Sequence, residues 1–201
     1  MYLFLISLTL LSLLNSAMVS NPTATEDQVG FIGTIGGHEV ELNGTIQEIY
    51  AQAKALYPDM QDIDVPTTFT TINEVTHEQN RNLIKKNALH PALCMQDTNY
   101  DWRSAKLEDV ARAYNQLLHA QGTCGVCPGT CVNVSVFEDA TVKLCSMNIH
   151  TISPTCSYLS SYVEFMMNEC LYQENPAGGW LLSARMWDGD KYYVAVMKTE
   201  R

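Results

Sequence analysis

The first 93 residues of this 201-residue chain contain no cysteine, and basic residues are scarce throughout. The 12 Lys and Arg are outnumbered by 22 Asp and Glu, which gives a formal net charge of −10. An acidic surface repels phosphate backbones and anionic lipids, so we expect no nucleic-acid partner. Beyond the N-terminus, no apolar run approaches the roughly 18 residues that indicate a membrane-spanning helix, and we predict no transmembrane segment.

Motifs of the common enzyme and metal-site families are also missing. The chain has no GxSxG-like or HExxH-like stretch and no Gly-rich loop that opens a helix. The histidines after residue 86, which are His90, His119 and His150, stand outside any such context. Asp188 and Asp190 flank a glycine, where Asp commonly favours a turn. We therefore predict no catalytic residue, no cofactor and no metal.

An apolar run at the N-terminus is typical of a secretory signal. Residues 3–14 (LFLISLTLLSLL) suit the core of a signal peptide and are too few to span a bilayer. The small residues Asn15-Ser16-Ala17 then offer a cleavage site. A buried core helix is the alternative, but the run follows Met1-Tyr2 directly and lacks helical polar periodicity. We predict a signal peptide at residues 1–17 and a secreted, extracellular protein.

Secretion decides how the stretch CGVCPGTC, residues 124–131, is interpreted. Its spacing could mimic a zinc knuckle, but no second CxxC accompanies it. A redox dithiol needs a strand before it and a helix N-terminus after it, whereas here a predicted helix precedes and Pro128-Gly129 follows. In an oxidising route, cysteines normally form disulfides. The disulfide candidates are Cys94, Cys124, Cys127, Cys131, Cys145, Cys156 and Cys170.

An odd number of cysteines leaves one thiol over. Six cysteines alone allow many pairings, so the sequence does not give the connectivity. The remaining thiol could be free, buried and inert, or bonded to another chain. We therefore keep open a dimer that forms through this odd cysteine.

Charge and cysteine content divide the chain at a dibasic pair. Residues 18–86 hold ten Asp and Glu against four Lys and Arg, and they end in Lys85-Lys86. Proprotein-processing proteases cut secreted chains at such pairs, and this one lies eight residues before Cys94. We predict an acidic propeptide or N-terminal region at residues 18–86 and a cysteine-rich α+β domain at residues 87–201. The alternative is a solvated basic pair in an interdomain linker.

Three stretches carry helical signals. Thr45, with Glu48 three residues later, forms a capping box. The apolar residues after Ser104 fall on one helix face, and Gly122 is predicted to end that helix. Another apolar face begins near residue 157. The residues on the last two faces are Leu107, Val110, Ala111, Tyr114, Leu117 and Leu118, then Leu159, Tyr162, Val163, Met166 and Cys170.

Two hairpins are predicted in the C-terminal part. In CVNVSVF the valines alternate with polar residues, and ATVKLC follows. We predict a three-residue loop between them, because this places Val136 opposite Val142. Asp188-Gly189-Asp190 separates WLLSARMW from KYYVAVMK and indicates a second hairpin. The order helix, hairpin, helix, hairpin predicts an α+β fold with two helices packed on one antiparallel sheet and stabilised by disulfides.

The sequence also indicates which residues lie on the surface. The sequons at Asn43 and Asn133 predict glycosylation once the chain enters the secretory route. The last hairpin is rich in aromatic residues, which dominate binding hot spots. The candidate contact residues are Trp180, Trp187, Tyr192 and Tyr193, about half of which we expect to belong to the core.

Several stretches resemble small secreted proteins of filamentous fungi. They are GTIQEIYAQAKALYPD, the dibasic pair, CVNVSVFEDATVKLC, the helix end MMNEC, and the closing GGW and YYVAVMK. Members of these families often have a killer-toxin-like α/β sandwich fold, and many are candidate effectors. The resemblance implies that Val136 replaces one expected cysteine. It also implies framework cysteines at Cys94, Cys131, Cys145 and Cys170, with Cys124, Cys127 and Cys156 as additions.

These observations together predict a secreted, effector-like or killer-toxin-like protein that binds an extracellular protein or glycan and is not an enzyme. One alternative is a small secreted hydrolase whose acid and base groups, such as Asp188 or His150, meet only in the fold. A pocket that unites His150 with a carboxylate would favour this alternative. The other alternative is a protease-inhibitor-like toxin.

Overall fold

The computed structural model of the protein describes residues 28–60, 87–89, 91–95, 103–173 and 179–200. These residues form three helices and eleven strands, and the strands pair antiparallel in three sheets. The predicted α+β class is confirmed, although with three helices and three sheets rather than two helices on one sheet. In chain order the elements are β1 (Gly30–Ile35), β2 (His38–Asn43), α1 (Ile46–Leu56), β3 (Leu93–Cys94), β4 (Ala105–Lys106), α2 (Leu107–His119), β5 (Gln121–Gly125), β6 (Cys131–Phe137), β7 (Ala140–Ser146), α3 (Cys156–Glu169), β8 (Tyr172–Gln173), β9 (Trp180–Leu182), β10 (Ala184–Asp188) and β11 (Tyr192–Lys198).

The largest sheet has five strands in the order β3-β10-β11-β7-β6. One of its faces is apolar, and Val132, Leu144 and Val194 on that face are at most 2 % exposed. Helix α2 contacts β6 and β7, while α3 contacts β10 and β11. The buried residues of this face and of the two helices belong to one continuous core.

A second sheet, in the order β2-β1-β5, joins the N-terminal hairpin to the cysteine-rich part of the chain. Both residues of the turn Gly36-Gly37 have positive φ, which a tight two-residue hairpin turn requires. Strand β1 pairs with β2 on one side and with β5 on the other. The core therefore includes residues from both sides of the predicted processing site, such as Phe31 and Leu117, which are both fully buried.

The third sheet is small and has the order β4-β9-β8. The stretch WLLSARMW is divided between two sheets: Trp180–Leu182 joins this sheet, whereas Ala184–Asp188 joins the large one. Ser183, which is fully buried, lies at the change of sheet. The predicted C-terminal hairpin itself is confirmed, since Asp188 pairs with Tyr192 across a three-residue turn.

All three predicted helices are present. The capping box of α1 is confirmed, because the Thr45 side chain accepts from the Glu48 N–H and the Glu48 carboxylate accepts from the Thr45 N–H at 2.7 Å. The predicted role of Gly122 is wrong, since α2 ends at His119 and Gly122 lies within β5. A Cβ added to Gly122 would come within 2.5 Å of the Ile32 carbonyl oxygen, so the glycine serves close strand packing.

The β6–β7 hairpin corrects the predicted register. Its loop holds two residues, Glu138-Asp139, and Val142 lies opposite Ser135 rather than Val136. A two-residue loop by itself would turn the valines of β6 toward solvent. A bulge after Asn133 absorbs one residue, so the valines at the start of β6 still face the core.

The disulfide framework predicted from the secretory setting is confirmed for six of the seven candidate cysteines. The bonds are Cys94–Cys170, Cys124–Cys156 and Cys131–Cys145. Two of them join the framework cysteines implied by the resemblance, and the third joins two of the additions. The prediction is wrong for Cys127, which is half-buried and forms no disulfide. Cys127 is therefore the odd thiol. A dimer through it stays a prediction.

The predicted signal peptide at residues 1–17, the pair Lys85-Lys86 and His90 lie outside the described residues. Across the described ranges, no helix is both long and apolar enough to cross a membrane. Asn133 is exposed on β6 and Asn43 is half-buried at the end of β2. Their glycosylation stays a prediction.

Candidate ligand-binding cleft

A cleft of about 550 Å³ opens at one end of the five-stranded sheet. It lies between residues 148–154, which follow β7, and residues 189–191, which form the turn between β10 and β11. Tyr158 from the first turn of α3 and Tyr192 from the start of β11 line it from the core side. Its other polar side chains are Asn148, His150, Thr151, Ser153, Asp190 and Lys191.

Behind the cleft, the fully buried carboxylate of Asp188 accepts hydrogen bonds from two tyrosines. The Tyr158 hydroxyl donates to Oδ2 at 3.0 Å, and the Tyr162 hydroxyl donates to the same oxygen. The two tyrosines are four residues apart on α3, which puts them on one helix face. The Asp190 N–H donates to Oδ1 at 2.7 Å. A buried carboxylate is costly unless donors surround it, and these three bonds meet that need.

Burial raises the pKa of Tyr158, Tyr162 and Tyr192, which surround this carboxylate, above the ordinary tyrosine value of 10.0. Desolvation is the main cause for Tyr162, and its hydrogen bond to Asp188 adds to the shift. Desolvation also leads for Tyr192, where the negative charge of Asp188 adds to it, and for Tyr158. The raised pKa values keep all three phenols protonated into the alkaline range. In this form Tyr158 and Tyr162 donate to the Asp188 carboxylate.

One wall of the cleft is tied directly to the turn opposite. The Met147 N–H donates to the Lys191 carbonyl at 2.8 Å. The Asn148 side chain donates to the Asp190 carbonyl, and the Asn148 backbone N–H donates to the Ser146 hydroxyl at 3.2 Å. These bonds hold the segment after β7 and the β10–β11 turn at a fixed separation.

The far end of the same segment is fixed to the N-terminal sheet. Val126 and Ile152 exchange two backbone hydrogen bonds of 2.9 and 3.2 Å. The disulfide Cys124–Cys156 joins β5 to the start of α3 just beyond. A cleft whose walls are held at both ends loses little conformational entropy when a ligand enters it.

His150 is exposed on the wall and shares the cleft with the Asp190 carboxylate. This is the combination expected under the hydrolase alternative. His150 makes no hydrogen bond to any other described residue, whereas a general base is ordinarily oriented by a partner. Asp188, the other candidate acid or base, is enclosed by the two tyrosines rather than open to a ligand.

The four aromatic residues predicted as contacts do not form one surface. Trp187 and Tyr193 pack on the outer face of the large sheet with ring centroids 4.6 Å apart, and the Arg185 guanidinium lies 5.8 and 5.9 Å from the two rings. Tyr192 lies on the core face, is 2 % exposed, and lines the cleft. Trp180 is 48 % exposed on β9, in another sheet.

The sequence alone does not single out Asn148, Thr151 or Ser153. They lie in the polar stretch SMNIHTISPT, which carries an ordinary loop signal between a strand and a helix. Its approach to the 189–191 turn depends on the order of strands, because β7 and β10 both neighbour β11 in the sheet. That order is a property of the fold and not of the local sequence.

Neither metal coordination nor relatives guide the assignment of this cleft. Within the described ranges, no group of three or more His, Cys, Asp or Glu side chains is placed to hold a metal ion. No family model, no curated protein and no solved structure matches this chain at a significant level. Its function is therefore inferred from the geometry of the cleft.

Proposed function

We propose that this protein binds an extracellular glycan in the cleft between residues 148–154 and the 189–191 turn. The observation that carries the proposal is that six residues with hydrogen-bonding side chains line one cleft, which Tyr158 and Tyr192 line from the core side. Sugar hydroxyls need polar partners, and the C–H faces of sugars pack on aromatic rings. Tyr158, which is half-buried, can present its ring to such a ligand, whereas Tyr192 is 2 % exposed and forms the back of the cleft. A preformed concave site with these two kinds of group suits a glycan.

The charge of the cleft favours a neutral glycan. Lys191 and Asp190 contribute one charge of each sign, and the Asn, Thr and Ser side chains are uncharged. The volume of about 550 Å³ lies within the range of roughly 300–1,000 Å³ that is usual for small-molecule sites. We therefore propose a short, neutral oligosaccharide segment as the bound group.

We also propose the killer-toxin-like sandwich as the finer description of the fold, and an effector-like or killer-toxin-like role outside the producing cell. Its support is the packing of α2 and α3 against the large sheet and the bonding of the framework cysteines in two pairs. The predicted signal peptide and the disulfides support an extracellular setting.

Glycan binding is tested by screening the secreted protein against neutral and charged oligosaccharides and then measuring the affinity of the strongest ligand by calorimetry. Asp190→Ala and Thr151→Ala are each expected to weaken binding roughly tenfold, because each removes a hydrogen-bonding side chain from a residue that lines the cleft. Trp187→Ala, on the outer face of the sheet, is the control and is expected to leave the affinity unchanged. The reverse pattern, with Trp187→Ala alone weakening binding, would overturn the assignment to the cleft. A protein partner with no glycan signal would overturn the ligand class.

Hydrolysis is a second candidate function, because His150 and Asp190 share the cleft. It is tested by incubating the protein with the oligosaccharide that binds most tightly and following products by mass spectrometry. Turnover that His150→Ala abolishes, while binding persists, would establish a hydrolase. Intact oligosaccharide after long incubation would favour binding alone.

A further inference from the structure

The N-terminal hairpin and α1 occupy a defined surface of the cysteine-rich part of the chain. Strand β1 pairs with β5 over five residues, from Gly30 opposite Gly125 to Thr34 opposite Gln121. β5 follows α2 directly and carries Cys124, which is bonded to α3. The surface that receives β1 is therefore held in place by elements on the far side of the predicted processing site.

Glycines on both strands make this contact unusually close. Gly33 lies directly opposite Gly122. A Cβ on Gly33 would come within 2.3 Å of the Gln121 carbonyl oxygen, and a Cβ on Gly122 would lie 2.7 Å from the Phe31 ring. Real Cβ atoms do not approach backbone this closely. The Phe31 ring, which is fully buried, thus lies in space that only glycine leaves open.

Helix α1 adds a polar contact at the free edge of β6. The Val136 N–H donates to Gln47 Oε1 at 3.1 Å, and Gln47 Nε2 donates to the Ser135 hydroxyl at 3.0 Å. Gln47 Nε2 also donates to the Gln116 side chain of α2. The Gln47 side chain therefore covers the free edge of β6 and joins it to α2. Both of these elements lie more than 60 residues further along the chain.

The contact is extensive and has no covalent component. Ile46, Ile49 and Ala53 of α1 are fully buried in the core shared with α2, α3 and the large sheet. All seven cysteines follow residue 93, so no disulfide can tether residues 28–60. On the other side, the Asn87 carbonyl already accepts from the Gly189 N–H at 2.7 Å, immediately after the dibasic pair.

We propose that residues 28–60 are a retained subunit of the working protein. After cleavage at the predicted site Lys85-Lys86, the N-terminal fragment stays bound non-covalently through β1, Phe31 and Gln47, and the product is a two-chain protein. Cleavage there hydrolyses one peptide bond and leaves the contacts of β5, β6 and α2 with the fragment in place. This differs from a discarded propeptide, and it does not depend on what the cleft binds.

The test begins with the full secreted chain, treated with an endoprotease that cuts at dibasic pairs. In a second version, a recognition site for a sequence-specific protease is inserted after Lys86, so that the result does not depend on natural cleavage. After cleavage, both versions are expected to give a 1:1 complex by native mass spectrometry and gel filtration, and the fragments should separate in denaturant without reductant. Elution of the N-terminal fragment on its own under native conditions would overturn the proposal.

Matched variants then locate the contact. Gln47→Ala removes the bonds to β6 and α2, and it is expected to weaken the association of the two fragments roughly tenfold. Gln52→Ala is the control, because Gln52 is exposed on the same helix and bonds only the Asn43 carbonyl within its own fragment among the described residues. Before cleavage, each variant must show three disulfides by intact mass. Equal dissociation of the two variants would exclude the assigned contact.

Discussion

Tyr162, on the core side of α3, donates a hydrogen bond to the carboxylate of Asp188 at the end of β10. Both residues are fully buried, so this carboxylate anchors the hairpin to the helix in addition to shaping a turn. The same oxygen accepts from Tyr158 at 3.0 Å, and Tyr158 lines the cleft. The position of the turn and the shape of the cleft are therefore linked through one carboxylate.

Tyr162→Phe tests this anchor. The substitution leaves a buried carboxylate with one donor fewer, and we expect the free energy of unfolding to fall by about 1–3 kcal/mol. Tyr193→Phe is the control, because the Tyr193 hydroxyl reaches only the Cys131 sulfur, at 3.7 Å, among the described residues. Its effect should stay within about 0.5 kcal/mol. Urea unfolding of both variants with intact disulfides measures the difference, and equal losses would contradict the anchor.

The raised pKa values of Tyr158, Tyr162 and Tyr192 predict how stability changes in alkali. In the unfolded chain these phenols ionise near the ordinary pKa of 10.0, whereas the folded protein keeps them protonated to higher pH. Stability is thus fully present below about pH 10 and is lost as the pH rises above it. The ultraviolet absorbance of tyrosinate should show that these three phenols ionise only when the protein unfolds. Unfolding is followed by the loss of the near-UV circular dichroism signal. Complete tyrosine ionisation in the folded protein would refute the prediction.

The cysteine pairing predicts one free thiol and three disulfides. Alkylation in denaturant without reductant should modify one cysteine, Cys127, and reduction should release six more thiols. Replacing both Cys124 and Cys156 by Ala opens a bond that spans 32 residues, and we expect this to cost about 3–4 kcal/mol. Cys127→Ala is the matched control and should change stability little. Intact mass spectrometry and urea unfolding make both measurements, and a disulfide-linked dimer would show instead that Cys127 bonds a second chain.

The elements that the sequence predicts well are those with strong local signals. The capping box at Thr45 and the apolar faces of α2 and α3 specify helices through contacts within a few residues. The β6–β7 register is missed, because a bulge after Asn133 compensates for the short loop, and no alternation pattern displays that compensation. The N-terminal hairpin has a detectable signal in Gly36-Gly37 between GFIGTI and HEVELN. Its pairing with β5 is a long-range contact that the local pattern does not contain.

The candidate site follows less closely from the sequence than the fold does. Its residues come from three separate places, the stretch after β7, the first turn of α3 and the β10–β11 turn, and only the sheet order brings them together. Aromatic content draws attention to Trp187 and Tyr193, which lie on the other face of the sheet from Tyr192. The alternation of side chains along a strand predicts that these residues lie on opposite faces of the sheet. It does not show which of the two faces has a cleft beside it.

Among the described residues, two that are not glycine have positive φ, and they give a matched pair of test sites. Lys191, with φ of 60°, lines the cleft, whereas Glu138, with φ of 45°, lies in the β6–β7 turn. A side chain in this left-handed region is strained, and glycine relieves the strain at some cost in unfolded-state entropy. We expect Lys191→Gly and Glu138→Gly each to raise the free energy of unfolding by about 0.5–1 kcal/mol. Only Lys191→Gly should also weaken glycan binding, because Lys191 lines the cleft and its ammonium group can donate hydrogen bonds to sugar hydroxyls. Calorimetric affinities and urea midpoints are measured for both variants. Unchanged affinity for Lys191→Gly would show that the strained lysine does not serve the ligand, and the strain would then have no function at this turn.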